Sequence, residues 1–222
     1  MWDAFLGALV SALTWIHGFV GDWGFAIVLL TVALRILMIP LTAKQTKSMH
    51  EMQRVQPKIK ELQEKYKHDK QKQQEEMMKF YQDNKVNPFG GCLPLILQMP
   101  IFIALFRVLQ SEEMLDLVGK PFWVFLPDLS RSPSAVFSAD GIWTAIPYLV
   151  FVVLFGLSAW LPQKMLTKDP QQSKMGTYMA LFMLYIGWIS PAGVLVYWVT
   201  SSVWQMGQQW LVLRLSAESE GA

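Results

Sequence analysis

Long apolar runs dominate this sequence, and one of them carries a charge far from either end. Residues 23–41 are interrupted by charge only at Arg35. Further runs cover residues 92–109, broken by Pro94, Gln98, Pro100 and Arg107, and residues 142–161, with Pro147 near the start. The last, 175–213, is too long for one crossing. A hydrocarbon core about 30 Å thick takes roughly 20 apolar helical residues. Ser190-Pro191-Ala192-Gly193 divides the last run, because Pro cannot continue the donor ladder and Gly favours a turn. The expected fold class is an all-α integral membrane protein with five transmembrane helices. Composition agrees: 53% of residues are hydrophobic and 16% charged, where a soluble domain carries about a quarter charged residues. That content excludes disorder, and the single Cys92 excludes a disulfide framework.

The runs divide the chain into spans at 18–41, 87–109, 142–161, 175–189 and 192–213. Between them lie a polar segment at 42–86, a loop at 110–141, a second loop at 162–174 and a tail at 214–222. Basic residues orient such a chain, because cytoplasmic loops are enriched in Lys and Arg. Residues 42–91, 162–174 and the tail hold fifteen, and the opposite side only Lys120 and Arg131. The N-terminus is therefore expected outside and the C-terminus in the cytoplasm. The outer 110–141 loop is acidic instead, with Glu112, Glu113, Asp116, Asp128 and Asp140. Residues 1–17 lack the basic start and small-residue cleavage site of a signal peptide. The spacing of Trp2, Phe5, Leu9, Leu13 and Ile16 predicts an amphipathic helix at the outer interface.

Within 42–86, Met49, Met52, Val55, Ile59, Leu62 and Tyr66 recur at three- and four-residue steps, which makes one helical stripe. Pro57 predicts a kink or boundary in it. Met77, Met78, Phe80 and Tyr81 supply a shorter partner helix after His68-Asp69-Lys70. Narrow apolar seams with charged outer faces suggest a cytoplasmic helical hairpin. Met49, Met52, Met77 and Met78 suit simple seam packing; flexible, polarizable Met also suits contact with varied apolar partners. The basic residues there suit a solvated face attracted to membrane lipids. Eleven Lys and Arg interleaved with seven Asp and Glu are a weak nucleic-acid signal, and no DNA partner is expected.

Arg35 lies six residues before Leu41, roughly 9 Å of helix. A charge in the bilayer centre costs from about 2.5 kcal/mol to 10 or more. Arg35 either snorkels to the headgroups or faces a polar cavity inside the bundle. Thr31 stands one turn away on the same face. Gln98 sits mid-span between two prolines, and Thr200, Ser201, Ser202 and Gln205 cluster beside Tyr197 and Trp198. No carboxylate lies deep in any span, which favours a wet groove offering positive charge to something acidic. Residues 176–189 would make about 21 Å of helix, short for a crossing unless the helix extends into 171–175; otherwise the bilayer thins locally.

No catalytic set is present, and the chain is not expected to be an enzyme. His17, His50 and His68 are scattered without metal-ligand spacing, and no cofactor or metal site is expected. Asn87-Pro88-Phe89-Gly90-Gly91 reads as a turn at the membrane surface and Cys92 as packing. A small-molecule transporter or channel would also explain a polar cavity, but it favours inverted repeats, and the spans show none. A structural scaffold would explain the hairpin and leave Arg35 without a purpose.

Three stretches carry a resemblance over nearly the whole chain: Leu34-Arg35-Ile36-Leu37-Met38-Ile39-Pro40-Leu41-Thr42, Asn87-Pro88-Phe89-Gly90-Gly91-Cys92-Leu93-Pro94 running into Gln98-Met99-Pro100-Ile101-Phe102, and Pro191-Ala192-Gly193-Val194-Leu195-Val196-Tyr197-Trp198. In this order, around a basic hairpin, they resemble the YidC family of membrane protein insertases, in its short five-span bacterial form. The resemblance implies a chaperone of the cell membrane with a hydrophilic groove open to cytoplasm and lipid and closed to the outside. Thr31, Arg35, Gln98 and Trp198 would line that groove or touch the client. Arg35 would draw in the client's acidic N-terminal segment and release it as the membrane potential pulls it outward. Implied partners are newly made membrane proteins, and beyond them the Sec translocon, the ribosome and signal recognition particle components. Ser202 departs from the family pattern, placing a hydroxyl where relatives often carry Asn.

Overall fold

The structure is a computed structural model that describes residues 2–84, 86, 93–110, 122, 125–166 and 170–220. The expected turn at 87–91, Cys92 and the acidic part of the outer loop fall outside those residues. The described chain is helical: α1 (Trp2–Val20), α2 (Trp23–Leu37), α3 (Ile39–Lys65), α4 (Lys70–Asp83), α5 (Leu93–Leu109), α6 (Pro133–Leu166), α7 (Pro170–Ile189) and α8 (Ala192–Glu220). It forms two compact units, one of residues 1–37 and 99–207, the other of residues 38–98 and 208–222.

In the first unit α1 packs on α2 and α6 on α7. Leu9 and Leu13 of α1 are buried with Trp23, Ala26, Ile27 and Leu30 of α2. The helices join at Gly21, whose N–H donates to the His17 carbonyl at 2.8 Å. The Asp22 carboxylate then accepts the Phe25 N–H at 2.9 Å and caps α2. α1 is less one-sided than expected: Trp15 and Phe19 on its outer face are 68% and 75% exposed. Gly24 is buried against Phe122, so closely that a Cβ there would fall 1.8 Å from the ring.

Boundaries differ from the sequence reading in four places. The helix of the span drawn through residue 41 breaks after Leu37, and α3 begins with Pro40 in its first turn, where its missing N–H costs nothing. Residues 133–140, read as loop, are helical and run into α6 across Gly141, at φ 79° and ψ −179°, a conformation open to Gly alone. Ser132 caps this piece, and Arg131 pairs with Asp140 at 2.5 Å. α7 starts at Pro170 and has 20 residues, about 30 Å of helix, of which Gly176–Ile189 is the apolar part. α8 runs past residue 213 into the tail.

The turn between α7 and α8 is tied to the segment before α6. The Ala192 and Gly193 N–H groups donate to the Arg131 and Leu129 carbonyls at 3.0 and 2.9 Å, partnering donors that a helix start leaves open. Tyr148 holds that segment by donating to the Asp128 carbonyl and accepting its N–H, both at 2.8 Å.

In the second unit Pro57 lies inside a continuous α3, so it marks no boundary. α3 and α4 touch across a short turn in which Asp69 caps α4 by accepting the Lys72 N–H at 3.0 Å. Gln73 donates to the Gln63 carbonyl at 2.7 Å. Ile59 is buried, Tyr66 and Tyr81 half-buried, and burial pushes the Tyr81 phenol above its ordinary pKa. In this unit Gln208 donates to the Thr42 hydroxyl at 2.6 Å, tying the end of α8 to the start of α3.

By length and composition, α1 and residues Pro133–Leu161 of α6 can each cross a membrane, and α2 joined to the start of α3 would make a third crossing. The apolar parts Gln98–Leu109 and Gly176–Ile189 are shorter.

Candidate functional site

α2 is apolar all round, so its buried face is chosen by packing and not by amphipathicity. That face holds Trp23, Ile27, Leu30 and Thr31, and Arg35 extends it by one more turn. Arg35 is 7% exposed. Its guanidinium is turned into the bundle, towards α8. Its Nε donates to the Ser201 hydroxyl at 2.8 Å, and its Nη2 donates to the same oxygen. Ser201 is buried and also hydrogen-bonds the Tyr197 phenol, one turn earlier on α8. A Ser oxygen has two lone pairs and one proton, so this hydroxyl can accept from Arg35 and donate to Tyr197. Arg35 and Tyr197 also interact electrostatically. Thr31 is buried but spends its hydroxyl on the Ile27 carbonyl at 2.6 Å, so it adds polarity without a bond to Arg35.

Four of the sequence candidates, Thr31, Arg35, Tyr197 and Ser201, thus belong to one buried set within one unit. Trp198, Ser202 and Gln205 share the adjacent face of α8, at the i, i+4, i+7 spacing of a helix. Trp198 is half-buried between Phe102 of α5 and Phe155 of α6, with ring centroids 5.6 and 5.2 Å away. Ser202 is half-buried and Gln205 exposed. Gln98 belongs to the second unit and is half-buried. On α3 and α4, Met49, Met52 and Met77 are half-buried, and Met78 is 59% exposed.

Two polar features went unread in the sequence. The Trp204 indole N–H is buried without a hydrogen-bond partner among the described residues, three residues beyond Ser201 on the face that carries Tyr197. The signal was the spacing 197, 201, 204, hidden because Trp was counted as apolar. Gln45 of α3 is also buried, with neither amide atom hydrogen-bonded among the described residues. Among the described residues no group of His, Cys, Asp and Glu can hold a metal ion.

What the arrangement can do is hold a permanent positive charge away from bulk water inside an apolar bundle. Only guanidinium keeps its proton in such a place under all ordinary conditions. A neutral hydroxyl fixes its direction without cancelling its charge.

The sequence model of the 60Kd inner membrane protein family matches residues 15–219. A YidC membrane protein insertase from Haemophilus ducreyi is 43% identical over 206 residues, covering 91% of this chain and 35% of the relative. Another from Cellvibrio japonicus is 39% identical over 208 residues, covering 93% of this chain and 35% of the relative. The chain therefore spans about a third of the length of these curated relatives. A solved structure of an active YidC insertase with its first transmembrane domain resolved superposes with TM-score 0.73 and 28% identity, covering 93% of this chain and 46% of that one.

Proposed function

Because this chain belongs to the 60Kd inner membrane protein family, the family of the YidC insertases, we propose that it inserts small membrane proteins and helps them fold, and catalyses no reaction. Five spans, formed by α2, α5, α6, α7 and α8, stand in a bacterial cell membrane. The N-terminus lies outside and the C-terminus in the cytoplasm, in keeping with fifteen basic residues against two.

The observation that carries the reading is Arg35, buried in an apolar bundle and directed by Ser201. A client's short acidic N-terminal segment enters a groove open to cytoplasm and lipid, and its first apolar helix stays against lipid. Polar walls lower the cost of dehydrating that segment. A hydrogen bond to a charged group contributes about 1.5–3 kcal/mol. A membrane potential of about 100 mV acts on each charge with about 2.3 kcal/mol. These magnitudes match, so Arg35 holds an acidic residue and the potential can still remove it to the positive outer side. The potential thus supplies the direction.

Trp198, Ser202 and Gln205 line the rest of the path, and Gln98 adds a client contact by its place in the motif. Met49, Met52, Met77 and Met78 meet apolar client segments at the cytoplasmic hairpin. The chain works alone or beside the Sec translocon, receiving clients from the ribosome and signal recognition particle. Liposomes containing only this protein test the reading. A small phage-coat-type client should become protease-protected well above the level in protein-free liposomes, and equal protection in both would overturn it. Photo-crosslinkers at Gln98 or Trp198 should capture nascent chains, and a persistent lack of adducts would remove these residues from the path.

A further inference from the structure

α8 carries one polar group that neither the helix packing nor the Arg35 site uses. The Trp204 indole N–H is buried and has no hydrogen-bond partner among the described residues, although the residue as a whole is half-buried. It follows Tyr197 and Ser201 on one helical face, at i+7 and i+3. Three residues of helix set it about 4.5 Å along the axis from Ser201, the residue whose hydroxyl accepts from Arg35. Arg35, Ser201 and Trp204 belong to the same compact unit. Folded chains pair the great majority of buried polar groups, and an indole nitrogen can only donate. What this position lacks is therefore an acceptor.

We propose that Trp204 is a client-binding residue, whose indole N–H donates to a side-chain carboxylate of the client's acidic N-terminal segment on the entry side of Arg35. This rests on the insertase reading and on its orientation, in which α8 runs from the outer face towards the cytoplasm. A segment entering from the cytoplasm then meets Trp204 before it meets the Arg35–Ser201 pair. A carboxylate suits the position better than a backbone carbonyl. A hydrogen bond to an ionised acceptor is about twice as strong as one to a neutral acceptor, and the permanent charge of Arg35 enriches anions among whatever arrives. Shielding from water strengthens the contact further. The torsion that turns an indole ring about its Cβ–Cγ bond is soft, so a half-buried ring can swing its N–H to a segment lying on α8. Because the donor is neutral, it holds the carboxylate less firmly than a cation does and passes it on to Arg35.

The test separates the N–H from the ring. Benzothienylalanine in place of Trp204 keeps the shape of the indole and puts sulfur, which cannot donate, where the N–H stood. The full chain in nanodiscs is titrated with a fluorescently labelled peptide copying the acidic N-terminal segment of a small phage-coat-type client. A second peptide carries Asn and Gln in place of Asp and Glu. The parent should bind the acidic peptide more tightly than the neutral one. The isostere should raise the Kd of the acidic peptide about tenfold, the loss of one charge-assisted contact. It should leave the Kd of the neutral peptide and the melting temperature without peptide unchanged. Trp204→Phe also removes the N–H and should show the same pattern of binding. Either variant binding the acidic peptide as the parent does would overturn the proposal. So would an equal loss for both peptides, which is the mark of a backbone carbonyl or of packing, or a parent that does not distinguish them. Arg35→Ala, measured in parallel, keeps the two readings apart. If it loses the acidic peptide while the isostere does not, Arg35 stands as a client site and Trp204 falls.

Discussion

Replacing Ser201 by Ala removes one oxygen and leaves the shape of α8 intact, yet that oxygen accepts from two nitrogens of Arg35 and meets Tyr197. The site is buried on both sides, so water cannot readily take its place. Losing hydrogen bonds to a charged group, with buried donors left behind, costs about 1.5–3 kcal/mol. For a chain of this length each kcal/mol shifts the melting temperature by roughly 2–4 °C, so Ser201→Ala should melt roughly 3–12 °C below the parent in detergent, followed by tryptophan fluorescence. The pairing itself is isolated by a double-mutant cycle with Arg35→Met. Once the cation is gone the hydroxyl has no charged donor, and Ser201→Ala should then cost less than about 0.5 kcal/mol, a coupling of at least about 1 kcal/mol. Additive losses, or a Ser201→Ala variant as stable as the parent, would refute the assignment of Arg35 to this hydroxyl.

Gly24→Ala places a methyl 1.8 Å from the Phe122 ring. It should cost about 1–3 kcal/mol by overpacking, and adding Phe122→Ala should cost less than the two single losses summed. Trp204→Phe removes a buried indole N–H that lacks a hydrogen-bond partner among the described residues. Stability should stay within about 1 kcal/mol of the parent, because an unmet donor contributes nothing favourable; a larger loss would show that this N–H binds something. Asp69→Ala removes the cap of α4 and should cost about 1 kcal/mol, seen as faster amide hydrogen exchange over the first turn of that helix.

The parts of the fold that were legible in the sequence are those set by local composition. A run such as 23–41 can satisfy its backbone in hydrocarbon only as helix, and a lone Arg35 inside it stands out because charge is so costly there. The break at Met38 was harder to read, since apolar residues continue on both sides and only Pro40 marks it. The start of α7 stayed open in the sequence because Gln171, Gln172 and Ser173 suit a loop as well as the helix they form. Residues 133–140 escaped because a helix this short leaves no periodicity to count. The Arg35–Ser201 bond joins residues 166 positions apart, and no local pattern encodes which face of α8 meets α2. Tyr197 and Ser201 were nominated with Trp198, Ser202 and Gln205 as one polar cluster, and helix geometry then divides them between two faces.

In the proposed mechanism the Arg35 charge carries an acidic client segment into the membrane. Insertion into energised liposomes measures it directly, comparing one client with an acidic N-terminal segment and the same client with that segment neutralised. Arg35→Ala should reduce insertion of the acidic client about tenfold or more, the loss of one charge-assisted contact. Arg35→Lys should keep most of it, and the neutral client should respond to neither. Full insertion of the acidic client by Arg35→Ala, with the variant folded and embedded, would show that the Arg35 charge does not draw the segment in.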